Sequence, residues 1–529
     1  MKKILLPITV AVSIITGILI GNFYAVNKNK DVVRSIFRTN KISEVLNTIN
    51  NFYVDSLSLD SIIEKVLPVI INELDPHSSY IPASDLQAAK EELAGKFYGI
   101  GVQFNLQNDT IYIVKVISGG PSQKAGILDG DKIISVNDSV FVGKKINNDL
   151  VMRTLKGEKG TSVKLGIVRR GSTETLTFNI IRDEVSVKSV DAVYMITPKI
   201  GYISVNKFAE TTQKEFQNAL AKLKHEGATA LIVDLRGNSG GIMDAACNML
   251  NEFLKRGDMI VYMEGAHQKR DEVRANGIGS FQNIKIAVLI DEFSGSASEI
   301  FAGAIQDNDR GVIIGRRSFG KGLVQRQVKL SDNSALHITV ARYYTPSGRC
   351  IQKPYKLGES KDYQRDLLIR FEHGEFFSQD SIQQNTEQEY KTRSGRTVYG
   401  GGGIMPDIFV PQDTTNYSQY FSNLVYNGLI YKFALQYTEN HRVELKKIKK
   451  WQDMQKHLEN QNLFAKIIEF GDKNKTQGQK IINQKTKENI ERQTIAYIIR
   501  NILDDDGFFP YINQTDNCVQ IAIKELEKN

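Results

Sequence analysis

Two residues in the stretch Ile286 to Gln325 carry side chains that could do chemistry together, Ser296 and Lys321. A serine hydroxyl needs a base before it can act as a nucleophile. Lysine can be that base only when neutral, and moving its pKa from about 10.4 to about 7 takes roughly 4.6 kcal/mol of desolvation or neighbouring positive charge. Burial among apolar strands could supply it. Taken singly, each residue has a plainer reading: a serine at a helix start is a cap, and a lone lysine is a solvated charge. Their joint placement shifts the balance toward nucleophile and base.

The elements that must position them can be read locally. Ile286 to Ile290 is an unbroken apolar run of the length expected for a strand buried on both faces, and it ends in a Phe-Ser-Gly-Ser turn. Ala297, Ile300, Phe301, Ala304 and Ile305 then form one apolar stripe at helical spacing, and Ser296 with Glu299 reads as a capping box. After a turn at Asp307 to Gly311 comes a second buried strand, Val312 to Ile314. A glycine-bracketed Lys321 follows and opens the alternating segment Leu323 to Leu330. Gly315-Arg316-Arg317-Ser318-Phe319-Gly320-Lys321 also matches the start of a phosphate-binding P-loop. The next residue is Gly322 rather than Ser or Thr, and a strand pattern follows where a P-loop needs a helix, so nucleotide binding is set aside.

These residues resemble the catalytic core of the carboxy-terminal processing (tail-specific) serine proteases. The matching segments are Ser294-Gly295-Ser296-Ala297-Ser298-Glu299 and Phe319-Gly320-Lys321-Gly322-Leu323-Val324-Gln325, and the 25-residue separation of serine and lysine fits the family pattern. The resemblance implies Ser296 as nucleophile, Lys321 as general base and Gln325 as the residue that orients the lysine. Asp307 matches an acidic position sometimes counted with the catalytic group. Gly295 stands where the family has alanine, which loosens the turn and removes no functional group.

Upstream, Ile200 to Val205 reads as a strand, Gln213 to His225 as an amphipathic helix and Ala230 to Leu235 as a buried strand. That last strand runs into Asn238-Ser239-Gly240-Gly241, ahead of a helix from Met243 to Leu254. A double glycine there could turn a backbone N–H toward a developing oxyanion; the plainer reading is an ordinary strand-to-helix turn. By resemblance, one of Gly240 or Gly241 together with the N–H of Ala297 forms the oxyanion hole. Alternating strands and helices predict a mostly parallel sheet with its site at the strand ends.

Residues 96–182 change to short strands with glycine punctuation and look like a PDZ domain. Gly99, Ile100, Gly101 and Val102 would turn successive N–H groups toward a peptide's terminal carboxylate, while the following strand edge pairs with the peptide backbone. A small β-barrel whose glycines only make turns is the plainer alternative. Residues 31–95 read as helical, from apolar repeats at Val32, Ile36, Val45, Leu46 and Ile49 and at Ile62, Ile63, Val66 and Leu67. Asp75-Pro76-His77-Ser78-Ser79-Tyr80 is turn chemistry, and nothing in the sequence brings His77 to Ser296.

Met1-Lys2-Lys3 precedes Ile4 to Ile20, seventeen uncharged residues, so 1–26 reads as an uncleaved signal anchor with the positive end inside and the remainder exported. With 41% hydrophobic and 24% charged residues the 529-residue chain has an ordinary globular composition and room for several domains. Its net charge of +8 is diffuse, with one run at Lys446, Lys447, Lys449 and Lys450 that reads as a solvated helix face, and no basic stripe interleaved with aromatics suggests nucleic acid. Cys247, Cys350 and Cys518 are odd in number and scattered, and read as buried thiols. Residues 355–397 are polar and read as a mobile insertion, and 413–529 as a helical, polar extension that either binds a partner, dimerises or is simply solvated.

The expected architecture is therefore α/β multidomain: a mostly parallel protease core (183–412, interrupted by 355–397) with an inserted β-rich PDZ domain, a helical N-terminal segment and a helical C-terminal extension. The expected activity is a serine endopeptidase with a Ser-Lys dyad, anchored to the inner membrane of the cell envelope and facing the periplasm or exterior. It would cleave protein substrates near a free C-terminus docked on the PDZ domain, with a homo-oligomer or adaptor protein as further partners. Attack by serine and return of water through an acyl-enzyme needs no cofactor and no metal. The alternative is a catalytically silent PDZ-bearing binding protein or chaperone of the envelope, against which the intact trio Ser296, Lys321 and Gln325 argues.

Overall fold

The computed structural model describes residues 40–107, 109–383, 386–413, 418–478 and 482–528. The anchor expected at 1–26 and the first part of the region 31–95 lie outside the described residues. Among the described residues, no helix is long and apolar enough to cross a membrane. Those up to Ile71 form one unit and those from Asn72 onward a second. In the first, helices α1 (Asn40–Phe52) and α2 (Leu59–Asn72) appear where the apolar repeats predict them.

The second unit opens with a short strand, β1 (Ser79–Ile81), and reaches the PDZ-like domain through β2 (Lys96–Gly99). Strands β3 (Val102–Gln107), β4 (Thr110–Val116), β5 (Lys132–Val136), β6 (Ser162–Val168) and β7 (Leu176–Ile181) form an antiparallel sheet in the order β3-β4-β5-β6-β7. Alternation places Ile111 and Ile113 of β4, Ile133 of β5 and Val163, Leu165 and Ile167 of β6 in one fully buried core. Strand β8 (Asp183–Ser186) pairs back on β2, so the domain leaves and rejoins the core through one two-stranded stalk.

The core has two sheets. The first takes strands β9 (Val190–Met195), β10 (Ile200–Val205), β11 (Ala230–Asp234), β14 (Lys285–Ile290), β15 (Val312–Gly315) and β18 (Ile408–Phe409), in that order. Its strands are joined by helices α3 (Thr212–His225), α4 (Met243–Leu250) and α5 (Ala297–Asp307). The second contains β1, β12 (Met259–Gly265), β13 (Gln268–Arg274), β16 (Leu323–Lys329) and β17 (Ala335–Tyr344). The expectation of a mostly parallel core needs correction. Among the described residues, parallel pairing between strands is confined to the first sheet, from β10 to β18, while every pair of the second sheet is antiparallel, so the sheets are mostly antiparallel. The helical crossovers that enforce parallel pairing are absent from the hairpins β12–β13 and β16–β17, whose short turns join only antiparallel neighbours.

The unbroken apolar runs of β11 and β14 are explained by burial on both faces. Leu231, Val233, Ile286, Val288 and Ile290 face α3, α4 and α5; Ala230, Ile232, Ala287 and Leu289 face the opposite way. That second face is covered by the last helix of the chain, α12 (Asn517–Glu527), through Cys518, Val519, Ala522 and Leu526. Helices α7 (Gln419–Tyr426), α8 (Leu429–Leu445), α9 (Trp451–Glu459), α10 (Leu463–Lys473) and α11 (Gln484–Ile512) enclose an apolar core of their own. The extension is thus neither a solvated tail nor separate from the core. The reading of 355–397 as mobile is also corrected: helix α6 (Ser360–Glu372) lies within it, with Tyr363 and Arg370 buried against the loop that carries Lys321.

Candidate active site

Strand β14 ends at Ile290, and the turn that follows delivers Ser296 to the N-terminus of α5. Ser296 adopts φ 52°, ψ −112°, a conformation that L-residues occupy at a cost of about 1–3 kcal/mol and that clusters at functional turns. The turn is held in it from two sides. Asn238, fully buried, accepts from Gly295 N–H at 3.1 Å and from Ser298 Oγ at 2.8 Å through its carbonyl. The double glycine packs directly on the serine: a Cβ at Gly240 would lie 2.7 Å from Ser296 Cβ and 3.0 Å from the Ala297 nitrogen.

This contact separates the candidate oxyanion donors. Gly240 N–H already donates to the Asn238 side chain at 2.9 Å, so Gly240 does not supply the donor expected of it. At Gly241 the bridge to Phe208 uses the Gly240 carbonyl and the Ile242 N–H. Gly241 N–H, like Ala297 N–H, has no partner among the described residues.

Glu299 joins the serine turn to the lysine loop. It is fully buried, and its carboxylate accepts four hydrogen bonds: Ser296 N–H (2.8 Å) and Lys321 N–H (2.8 Å) on Oε2, Ser318 Oγ (2.5 Å) and Gly320 N–H (2.7 Å) on Oε1. Burial pushes this carboxyl above its ordinary value, against the pull of those four donors. The sequence marked Glu299 as a cap; its contacts across to Ser318, Gly320 and Lys321 carry no local signal. Lys321 is followed by strand β16, so the P-loop-like run is a strand entry. Burial holds the Lys321 amine below its ordinary value of 10.5, opposed by the charges of Glu299 and Asp75. The amine makes no hydrogen bond among the described residues.

Behind the lysine lies a polar cluster that the sequence did not connect to it. Asp75 is buried and accepts from His77 N–H, Ser78 N–H, Ser78 Oγ and Thr339 Oγ1 at 2.6–3.1 Å. His77, read as turn chemistry, is brought within electrostatic reach of Lys321: burial first, then the positive charge of Lys321, push its pKa down to about 4, so it is neutral around pH 7. Gln325 enters the same cluster, donating to Thr339 Oγ1 at 3.3 Å. No hydrogen bond joins Gln325 to Lys321 among the described residues, which departs from its expected role as the orienting group. Asp307 lies apart, buried in an ion pair with Arg349 at 2.7 Å and accepting from Ser347 Oγ at 2.7 Å, which makes it a structural acid.

In the PDZ-like domain, Gly101 has φ 76°, and the carbonyls of Ile100 and Gly101 accept from Ser122 N–H and Ile117 N–H. Gly99 is bridged to Lys156 in antiparallel sense, which engages the Ile100 side of the turn, and the Gly101 N–H has no partner among the described residues. Gly99 closes β2, Val102 opens β3, and among the described residues β3 pairs only with β4, leaving its outer edge without a strand.

Comparison with known proteins agrees with this division. Residues 199–363 match peptidase family S41, 99–180 match the PDZ domain and 420–504 match a family of unknown function. The chain is therefore of the class that joins an S41 peptidase core to a PDZ domain. It is 34% identical over 313 residues, 59% of its length, to a probable CtpA-like serine protease of Staphylococcus epidermidis (strain ATCC 12228 / FDA PCI 1200), of which it spans 62%. It is 36% identical over 318 residues to the carboxy-terminal-processing protease of Bartonella bacilliformis (strain ATCC 35685 / KC583 / Herrer 020/F12,63), covering 59% of this chain and 72% of that one. A photosystem II D1 C-terminal processing protease is similar over 70% of this chain and 92% of its own, at 25% identity and a TM-score of 0.35. The chain belongs to the carboxy-terminal-processing protease family.

Proposed function

We propose that the chain is a serine endopeptidase in which Ser296 attacks the scissile carbonyl and Lys321 is the general base. The carrying observation is the single oxygen, Glu299 Oε2, that accepts from both Ser296 N–H and Lys321 N–H, fixing nucleophile and base segments to one point. A buried amine with no hydrogen-bond partner favours the neutral form that can take the serine proton. The bond from Oγ to the carbonyl carbon forms as the proton passes to Lys321 Nζ. Collapse expels the amine of the downstream fragment with that proton, and water then enters through the same base. Gly241 N–H and Ala297 N–H are the donors left to stabilise the oxyanion.

Substrate selection rests on the PDZ domain. The loop Gly99 to Val102, with the Gly101 N–H free among the described residues, suits a terminal carboxylate, and the open edge of β3 suits the strand that precedes it. Gly99 and Val102 hold the ends of that loop. The reading retains the envelope location and membrane anchor expected from Ile4 to Ile20.

The test is cleavage of an unfolded protein ending in an apolar free carboxylate, beside the same protein amidated, by the full chain and by Ser296→Ala and Lys321→Ala. Cleavage by wild type alone, slower on the amidated chain, is the expected result. The acylation rate should rise with pH through the lowered pKa of Lys321 and level off above it, because only the deprotonated amine is a base. Binding by all three proteins with cleavage by none would replace the peptidase with a silent PDZ-bearing binding protein.

A further inference from the structure

The loop that carries Lys321 is clamped from both sides, and only one side is made of the family motifs. Glu299 holds Ser318, Gly320 and Lys321 from the front. From behind, Gln352 accepts the Gly322 N–H at 2.8 Å, and Lys353 N–H donates to the Gly320 carbonyl at 3.0 Å. Both residues converge on Tyr363, which α6 supplies from the polar segment at the residue where the family match ends. Gln352 Nε2 donates to the Tyr363 hydroxyl at 3.2 Å. Lys353 Nζ sits 4.0 Å from the Phe319 ring and 4.1 Å from the Tyr363 ring, bonded to Asp366 at 2.9 Å.

The third contact of Tyr363 is His77 Nε2, at 2.7 Å. A hydroxyl has one proton to give, and giving it to His77 while accepting from Gln352 uses both its donor and its acceptor side. In that arrangement His77 carries its proton on Nδ1. One hydroxyl therefore ties the turn that flanks Lys321 to the strap that holds Gly322.

We propose that Tyr363 is a positioning residue, which locks His77 and Gln352 together and so keeps the Phe319–Gly322 loop, with Lys321, seated and dry against the Ser296 turn. It touches no reacting atom. This rests on the peptidase reading above. Without the hydroxyl the ring still fills its place, but the loop loosens and water reaches the Lys321 amine.

The experiment compares wild type with Tyr363→Phe in the full chain, measuring single-turnover acylation against pH, kcat and KM. It adds the tautomer of His77 by NMR of protein carrying labelled histidine. The expected result is kcat reduced about 10-fold at neutral pH with KM within about twofold, the midpoint of the pH profile raised by about one unit, and His77 losing its fixed Nδ1–H form. Gln352→Met, which cuts the same strap at its other end, should move the midpoint in the same direction. Wild-type kcat and midpoint in Tyr363→Phe, or a wild-type His77 protonated on Nε2, would overturn the assignment. An equal loss of kcat at every pH, with no movement of the midpoint in either variant, would also overturn it and leave Tyr363 as packing only. Failure of the wild-type chain itself to acylate would instead remove the peptidase reading and this inference with it.

Discussion

Desolvating a lysine amine makes its charged form a burden on the fold, and Lys321 is the residue where this becomes measurable. Its folded pKa lies below 10.5, so between the two values the unfolded chain holds a proton that the native chain does not. Stability therefore rises with pH across that window, and the cost is present in full below the folded value. Lys321→Met keeps the length and removes the burden: it should abolish acylation yet raise stability by about 1–3 kcal/mol near neutral pH, the gain shrinking as the pH approaches 10.5. Urea unfolding at a series of pH values checks this, and a variant no more stable than wild type at neutral pH would mean the amine is hydrated. Glu299 makes the opposite case. All four of its partners donate, so Glu299→Gln points an NH₂ at one or more N–H or O–H groups. We expect a loss of about 2–4 kcal/mol and of most activity, read by unfolding and by single-turnover kinetics. Ser296 and Lys321 were legible because their types and the capping pattern are local. Glu299 was legible only as a cap, and Asp75 only as part of a turn, because its contact with Thr339 spans 264 residues.

At the scale of elements, the sequence was most informative where one element decides its own fate. The runs at Ile286 to Ile290 and Ala230 to Leu235 read as doubly buried strands, the stripe from Ala297 to Ile305 as a helix, and all three form as read. What no run reveals is which strands meet, so the antiparallel second sheet was missed, although its hairpins carry short turns. Low apolar content likewise hid α6, which packs through a few large residues, Tyr363 and Arg370, rather than a continuous stripe. The double-glycine turn shows how closely elements must meet at the site. Gly240 has φ 108°, and a methyl there would lie 2.7 Å from both Ser296 Cβ and the Gly295 carbonyl oxygen. Gly240→Ala should therefore push the serine turn off its backing, at a cost of about 2–4 kcal/mol, and suppress the acylation burst by 100-fold or more, on the order of one lost oxyanion donor. Crystals of the variant, or its burst amplitude on an activated ester, would reveal a turn that had stayed in place.

At the scale of the whole molecule, the C-terminal helices reach in two directions. Helix α12 seals the sheet: Val519 is fully buried against the face formed by Ala230, Ile232, Ala287 and Leu289, and its N-cap Asp516 pairs with Arg236 at 2.9 Å. Val519→Asp puts a carboxylate there without a partner, and we expect a loss of about 3–5 kcal/mol and little soluble protein. In the other direction, helix α11 meets the PDZ-like domain, where Asp504 pairs with Lys115 of β4 at 2.7 Å. Asp504 sits at a kink with φ 58°, ψ −157°, a conformation suited to glycine, so the helix carries strain at the point where it grips the neighbouring domain. Both partners are partly exposed, which limits the pair to about 1 kcal/mol or less, enough to shift a docked and an undocked population by up to about fivefold. Asp504→Gly relieves the strain and deletes the grip together. The helical domain should be as stable as before, or more so, while tryptic cleavage in the β2–β8 stalk quickens by about two- to fivefold. Raising the salt to about 0.5 M should quicken cleavage of wild type in the same way and add little in the variant, since the same exposed charges are being screened. If both proteins responded to salt alike, the Lys115–Asp504 pair would be an incidental surface contact and the PDZ-like domain would be held by its stalk and by its contacts with α8, such as Arg170 to the Glu439 carbonyl.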